Sequence, residues 1–533
     1  MTSSAATASE PGAATRVPPP VGGSPRWRHP VVPWLALVTL AAALRATLIA
    51  LDHGVTLDSD EAVIGLMARH ILAHGARPIF FYGQEYMGAF EAYVAAAAFA
   101  LAGASTLALK GTMLVLDLLL VLSFVALGRA ALDRRAGWLA GLYAALAPAF
   151  LAIYGLKARG GYVETVLVGN LLFAGAASLG KLAPRACAVR ALTLGALAGL
   201  GFWTHTLVAL YFPVAALIWL ASGAQARRLQ PIALALAGAL VGSAPFWWRN
   251  AHTGFQSFGN VSWVDGATAW RHLLELLRVG LPTVLGARPI WAFEEIAPAA
   301  GIAFALVNAW LALASVRRSL RPDVEPARRA VVLGAWATAL LALAVDAKSV
   351  FGAESREPRY LFPVYTALGL SFGIAAADAW QRRQRAVQLL CVALLGGHLF
   401  GIARQDPALM LGISAGQRVA QRNDRLLALL DKLGIRSIYT DYWVSYRLAF
   451  ESGERIRARP YGHVVVERIP AMSAEVEGDP NPAFVLLGDA ASGFRAALER
   501  RGLGFRERAA GPYRVFYRVE GLDEVRRWTY PFG

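Results

Sequence analysis

Apolar runs close to 20 residues long recur from about residue 31 to residue 405. A helix of that length crosses a bilayer core of roughly 30 Å. A chain that repeats such runs so often is read as a polytopic α-helical membrane protein. Hydrophobic residues make up 56% of the chain and charged residues 17%, which leaves little polar surface to solvate a large water-facing core. The net charge of +16 is compatible with nucleic-acid binding, but the arginines fall largely in short loops between the apolar runs. That is the positive-inside pattern, so the charge is read as topology and no nucleic-acid partner is expected.

Spans are expected at about 31–51, 107–128, 136–156, 162–180, 190–205, 207–222, 231–248, 298–316, 330–347, 360–378 and 386–404. The loops with Arg129, Arg134 and Arg135, with Lys181, Arg185 and Arg190, with Arg227 and Arg228, and the basic stretches 317–329 and 382–385 belong on the cytoplasmic side. With a cytoplasmic N-terminus this gives eleven crossings and an extracytoplasmic C-terminus. The apolar segment 89–103 is short and carries Glu91, so it is expected to lie in the interface. Residues 272–285 are a second candidate for a surface-lying helix. Residues 1–30 are rich in Ala, Ser, Pro and Gly and read as a disordered cytoplasmic tail. Cys187 and Cys391 are too few for a disulfide framework or a metal site.

From about residue 409 the chain changes character. Helical periodicity at 421–433, a strand at 435–440, apolar runs at 483–487 and 513–519 and a helix at 494–501 predict a small extracytoplasmic α/β domain over 409–533. Residues 31–408 form the membrane domain, with outer loops at 52–106, 157–161, 249–297 and 348–359 that mix acids, aromatics and glycines. The chain has no Gly-rich phosphate loop, metal-ligand spacing or nucleophile elbow.

Chemistry is expected in the first outer loop. Asp58, Ser59, Asp60 and Glu61 precede a helical pattern in which Val63, Leu66, Met67 and Ile71 share one face. Asp58 as N-cap and Glu61 as its capping-box partner would satisfy the helix start, and beside that reading both are candidate catalytic acids. Capping needs no third acid, so Asp60 is the first candidate for a base that takes the proton from a hydroxyl attacking a sugar carbon. A departing lipid phosphate needs cations, and Lys157, Arg159, Arg356 and Arg359 are candidates on the same face. The alternative for the arginines is snorkelling, or pairing with Glu354 and Glu357. Tyr82, Tyr86, Trp247 and Trp248 suit either a substrate groove or an interfacial belt. Glu85, Glu91 and Glu164 are candidate second acids, and His205 at the end of a span is read as structural.

Six segments carry a resemblance: LDSDEAVIGLMARHIL, PIFFYGQEYMGAFEAYVAAAAFALAG, LKARGGYVETVLVGN, APFWWRNAHTGFQSFGN, EPRYLFPVY and, beyond the spans, IYTDYWVSYRLAFESGERI. In this order the chain resembles the GT-C class of integral membrane glycosyltransferases, in particular the protein O-mannosyltransferase and lipid A aminoarabinose-transferase superfamily. The resemblance implies a GT-C fold and a polyprenyl-phosphate sugar donor. It also implies inversion at the anomeric carbon, with a catalytic carboxylate in Asp60-Glu61 and Arg359-Tyr360 near the donor phosphate. A second acid in the loop after the third span is usual in some members, and Glu164 is the residue here that could take that role. The acceptor stays open among glycan, lipid and protein, as do the sugar and a divalent metal. The expected location is a bacterial plasma membrane. The rival of another class is a transporter or lipid flippase, which predicts polar or broken helices at the midplane and an internal repeat. The polar residues gather instead at one end of the spans, and no clear repeat is present.

Overall fold

The computed structural model describes residues 2, 32–53, 55–259, 262–292, 294–297, 299–405 and 423–532. The expected N-terminal tail, and the start of the helix expected at 421, lie outside the described residues. The helices are α1 (Val32–Ala50), α2 (Ser59–His74), α3 (Phe90–Ala102), α4 (Thr106–Ala131), α5 (Arg134–Ala145) and α6 (Ala149–Tyr154). They continue with α7 (Tyr162–Ala176), α8 (Pro184–Thr204), α9 (Phe212–Ala221), α10 (Leu229–Gly242), α11 (Ala244–His252), α12 (Gly266–Glu275) and α13 (Leu281–Val284). The bundle ends with α14 (Ala300–Ser319), α15 (Pro326–Lys348), α16 (Val364–Gln381) and α17 (Arg385–Ala403).

Among the described residues, seven helices (α1, α4, α7 together with the turn that extends it to Lys181, α8, α14, α15 and α17) are long and apolar enough to cross a membrane. The pair α10 and α11, bent by 59°, makes an eighth if it is one span. Of the remaining expected spans, that at 360–378 coincides with the 18-residue α16, and the others with shorter pieces. The segment expected at 136–156 is divided at Pro148 into α5 and α6, because proline has no N–H to continue the ladder. The carbonyls freed at the end of α5 are met from the side. Arg45 donates to Ala144 at 3.0 Å and Ala145 at 2.9 Å, and its charge is balanced by Asp117 at 3.1 Å, all fully buried. The apolar segment 89–103 is the 13-residue helix α3, too short for a perpendicular span.

Small residues set a close helix contact in the bundle. An added methyl at Gly195 or Gly199 on α8, or at Gly238 or Gly242 on α10, would overlap backbone atoms of the facing helix. The four-residue spacing lets the two backbones touch where no hydrophobic effect pulls them together.

The C-terminal residues form a five-stranded sheet of β1 (Ser437–Thr440), β2 (Arg457–Pro460), β3 (Ala483–Leu487), β4 (Arg506–Ala510) and β5 (Tyr513–Tyr517), in the order β2-β1-β3-β5-β4. β1 is parallel to both β2 and β3, whereas β5 runs antiparallel to β3 and β4. Alternation divides the side chains into two cores. Ile438, Val485 and Val515 pack with Leu426 and Leu430 of α18 (Asp424–Lys432) and Leu448 of α19 (Tyr442–Glu451). Tyr439, Phe484 and Phe516 pack with Phe494 on the opposite side.

The far side of α19 fastens this domain to the bundle. Tyr442, Tyr446, Ala449 and Phe450 belong to the same buried cluster as Met67 of α2 and Phe99 of α3. Phe450 stacks on Phe99 with ring centroids 6.0 Å apart, and its edge occupies the space that a side chain at Gly65 would need.

Candidate active site

The start of α2 is held by a buried charge network. Asp58 is the N-cap and Glu61 completes the capping box, as the spacing predicts. Both carboxylates are fully buried and carry further partners. Lys157 Nζ stands 2.9 Å from Asp58 and 2.9 Å from Glu61, and Lys110 Nζ stands 2.5 Å from Glu61. Arg159 donates to Asp58 through Nε at 3.0 Å and a terminal nitrogen at 2.5 Å, to the Tyr154 hydroxyl at 2.8 Å, and to Glu357. Three carboxylates therefore face three cations, the balance that buried charges require. Burial alone would raise the Asp58 carboxyl, but Arg159 and Lys157 outweigh it and hold the group well below the usual carboxylate range.

The loop that brings Lys157 and Arg159 here is fixed by two glycines. Gly160 and Gly161 adopt φ of 91° and 94°, a region that L side chains rarely enter. Their N–H groups donate to Glu91 of α3 at 2.9 and 2.7 Å. Glu91 thus works as an acceptor for this turn.

Asp60 faces the other way. Its side chain is 15% exposed and opens into a cavity of about 800 Å³. The wall contains six arginines (Arg159, Arg278, Arg288, Arg356, Arg359 and Arg468) and the acids Glu275, Glu354 and Glu357. Phe81, Tyr86, Tyr162, Trp291, Tyr442 and Trp443 give it aromatic surface. Arg359 donates to Glu354 at 2.6 Å and lies over the rings of Tyr162 and Tyr360. An anionic group entering this space meets forked guanidinium donors from several elements, the arrangement that suits phosphate oxygens.

Of the residues singled out in the sequence, the structure brings Asp60, Tyr86, Arg159, Arg356 and Arg359 to this cavity. Others it employs elsewhere. Asp58, Glu61 and Lys157 are consumed in the buried network, so Asp58 and Glu61 are not open to a substrate and Lys157 is not available to a phosphate. Glu85 pairs with Arg249 at 2.6 Å, and the Tyr82 hydroxyl meets His70 at 3.2 Å. Glu164 is buried in the first turn of α7, and Tyr360 lies behind Arg359 against Tyr162 and Phe351. Trp247 and Trp248 are exposed, as a belt would have them. His205 accepts the Leu207 N–H at 3.0 Å, in keeping with a structural place.

Sequence reasoning missed Arg278, Arg288, Tyr442 and Arg468. The first two sit on and after a helix whose apolar face drew attention to the interface, and the last two in a domain assigned no part in the chemistry. Among the described residues no three His, Cys, Asp or Glu side chains converge to hold a metal ion.

No family model and no curated protein matches the sequence. Solved structures do match. ArnT from Cupriavidus metallidurans bound to undecaprenyl phosphate superposes with a TM-score of 0.60 at 14% identity, covering 92% of this chain and 98% of that one. Its apo form gives 0.61 at 15% identity, covering 92% and 99%. The oligosaccharyltransferase AglB from Archaeoglobus fulgidus, with an inhibitory peptide and a dolichol-phosphate, gives 0.47 at 13% identity over 92% of this chain and 74% of that one. At such identities the likeness to ArnT is one of fold, and it extends over nearly the whole of both chains: this multi-pass membrane protein has the GT-C fold that its sequence motifs imply.

Proposed function

We propose that the chain is an inverting glycosyltransferase that moves a sugar from a polyprenyl-phosphate donor to an acceptor hydroxyl at the outer face of a bacterial plasma membrane. The observation that carries this reading is the isolation of Asp60. It is the one acid at the start of α2 that opens to the cavity, and it shares that cavity with six arginines. The ArnT fold, seen there with undecaprenyl phosphate, supports a lipid phosphate as the anion that Arg278, Arg288, Arg356 and Arg359 meet.

In the transfer, the acceptor hydroxyl gives its proton to Asp60 as its oxygen forms a bond to the anomeric carbon. The bond from that carbon to the phosphate oxygen breaks, and its electron pair leaves on the lipid phosphate. Arg359, with Arg288, Arg278 and Arg356, neutralises the charge that gathers there. Attack from the side opposite the leaving group inverts the centre. Burying Asp58 and Glu61 in ion pairs fixes the backbone on which Asp60 stands, so the base is held in place before substrate arrives. The N-terminus is assigned to the cytoplasm and the C-terminal domain to the outside, which sets the cavity at the outer membrane surface.

The test uses purified protein in lipid nanodiscs with radiolabelled polyprenyl-phosphate sugars. Wild type should release sugar from one donor, and Asp60→Asn should abolish the release. Full activity in Asp60→Asn would remove the base assignment, and failure to bind any such lipid would favour a transporter.

A further inference from the structure

The C-terminal sheet domain reaches into the cavity at Asp60. Tyr442, the first residue of α19, donates from its hydroxyl to Asp60 Oδ1, and its carbonyl accepts the Ser59 hydroxyl. Arg468, from the segment that follows β2, donates through Nε to the Tyr442 hydroxyl at 3.1 Å and places a terminal nitrogen 3.6 Å from the same Asp60 oxygen. Arg468 is itself held firmly. Its guanidinium lies 5.2 Å from the centroid of the Phe81 ring, its backbone N–H donates to the Tyr446 hydroxyl at 2.6 Å, and the Gln84 amide, turned so that its oxygen faces Arg468, accepts from both terminal nitrogens at 2.9 Å. Val464 and Val466 of the same segment line the cavity as well.

We propose that Tyr442 and Arg468 are positioning residues for the transfer reaction: they clamp one oxygen of the Asp60 carboxylate and leave the other to take the acceptor proton. This rests on Asp60 being the base. A carboxylate on the first turn of a helix has two free torsions, and the Tyr442 hydroxyl, itself held by Arg468, together with the Arg468 charge fixes which oxygen faces the cavity. Burial, followed by the Asp60 charge, pushes the Tyr442 phenol well above its usual range, so it remains a donor. The clamp is not needed to dock the domain. Phe450 against Phe99, Arg69 on the Gly453 carbonyl at 3.2 Å and His70 on Glu454 at 3.1 Å do that separately. The outer domain is therefore part of the catalytic apparatus, supplying the second half of a site whose base comes from the bundle.

The experiment compares Tyr442→Phe, Arg468→Gln, Arg468→Lys and Glu454→Gln with wild type and Asp60→Asn in nanodiscs, using undecaprenyl-phosphate-linked sugars as donors. Tyr442→Phe and Arg468→Gln should each lower kcat by about 10- to 100-fold, the effect expected for losing one charge-assisted hydrogen bond. The donor KM should stay within about two-fold, since neither group is assigned to the donor phosphate. Arg468→Lys should recover part of the loss by restoring the charge. Glu454→Gln, which loosens the docking alone, should keep the wild-type kcat. Wild-type kcat in Tyr442→Phe, with Asp60→Asn inactive, overturns the clamp and leaves the base standing. A raised donor KM at unchanged kcat overturns it too, because the residues would then bind donor. Activity in Asp60→Asn, or no turnover of any donor by wild type, overturns the base assignment and the clamp with it.

Discussion

Asp58 and Asp60 stand two residues apart and face opposite ways. Asp58 points into the protein, fully buried against Lys157 and Arg159, while Asp60 points into the cavity and touches Tyr442 and Arg468 of the C-terminal domain. A helix N-terminus produces this divergence naturally. The N-cap residue has extended backbone angles, here φ −113° and ψ 178°, and turns its side chain back over the first turn, whereas the second helical residue projects outward. The buried acid is bound into the ion-pair network and the other is left open to the cavity.

The two positions should therefore fail in different assays. Asp60→Asn keeps the shape and an acceptor for Tyr442, so its unfolding midpoint should stay near wild type while activity falls by about 10²- to 10⁴-fold, the usual worth of a general base. Asp58→Asn leaves Lys157 and Arg159 buried beside a neutral amide, and breaking a buried pair costs about 3–5 kcal/mol. Its midpoint should drop clearly in thermal unfolding. Equal loss of stability in both variants would contradict this division.

Acid should act through Asp58. Its folded carboxyl titrates below the unfolded value, so the native state binds fewer protons than the unfolded state as pH falls past the ordinary carboxylate range. The contribution is complete above about pH 5 and is lost as pH falls through the unfolded value of roughly 4 toward the lower folded one. Unfolding midpoints measured from pH 5 down to pH 3 should decline, and the decline should be shallower in Asp58→Asn. A wild-type midpoint that does not move over this range would remove the assignment.

Much of this was legible in the sequence. The apolar runs give the bundle, the Asp58–Glu61 spacing gives the capping box, and the surplus acid Asp60 stands out because capping does not use it. The positions of strands β1, β3 and β5 also follow from local pattern. What could not be read is what depends on tertiary neighbours. Lys157 carries the same charge whether it meets a phosphate or lies beneath two carboxylates, and only the fold of the Gly160-Gly161 turn decides which. Arg468 lies 408 residues beyond Asp60 in the chain, so nothing local announces their meeting. Breaks in the bundle were blurred for another reason: hydropathy averages over Pro148, which ends one helix and starts the next.

Donor binding offers a separate test. Arg359 and Arg288 line the cavity from different segments, and each presents a forked donor set. Arg359→Gln and Arg288→Gln should each weaken binding of undecaprenyl phosphate by about 10- to 100-fold, the equivalent of one hydrogen bond to a charged group. Lysine should recover only part of it, as a point charge lacks the fork. Titration of the lipid phosphate against nanodisc-embedded protein measures this without any sugar or acceptor. Unchanged affinity in both variants would move the phosphate site elsewhere.

The glycine contact between α8 and α10 makes a prediction about folding rather than chemistry. At Gly199 an added side chain meets the Ala239 carbonyl and the Ser243 N–H, both backbone atoms that cannot rotate away. Relief requires the helices to separate, which breaks the matching contacts at Gly195, Gly238 and Gly242 as well. Overpacking of this kind costs about 1–3 kcal/mol and more when backbone must move. Gly199→Leu should therefore lower the unfolding midpoint in detergent by several degrees and broaden the monodisperse peak in size exclusion. Thr193→Leu, on an exposed face of the same helix, should change neither. The pair separates the close approach from a general effect of adding bulk to α8, because both substitutions add an apolar side chain to the same helix and only one places it against backbone.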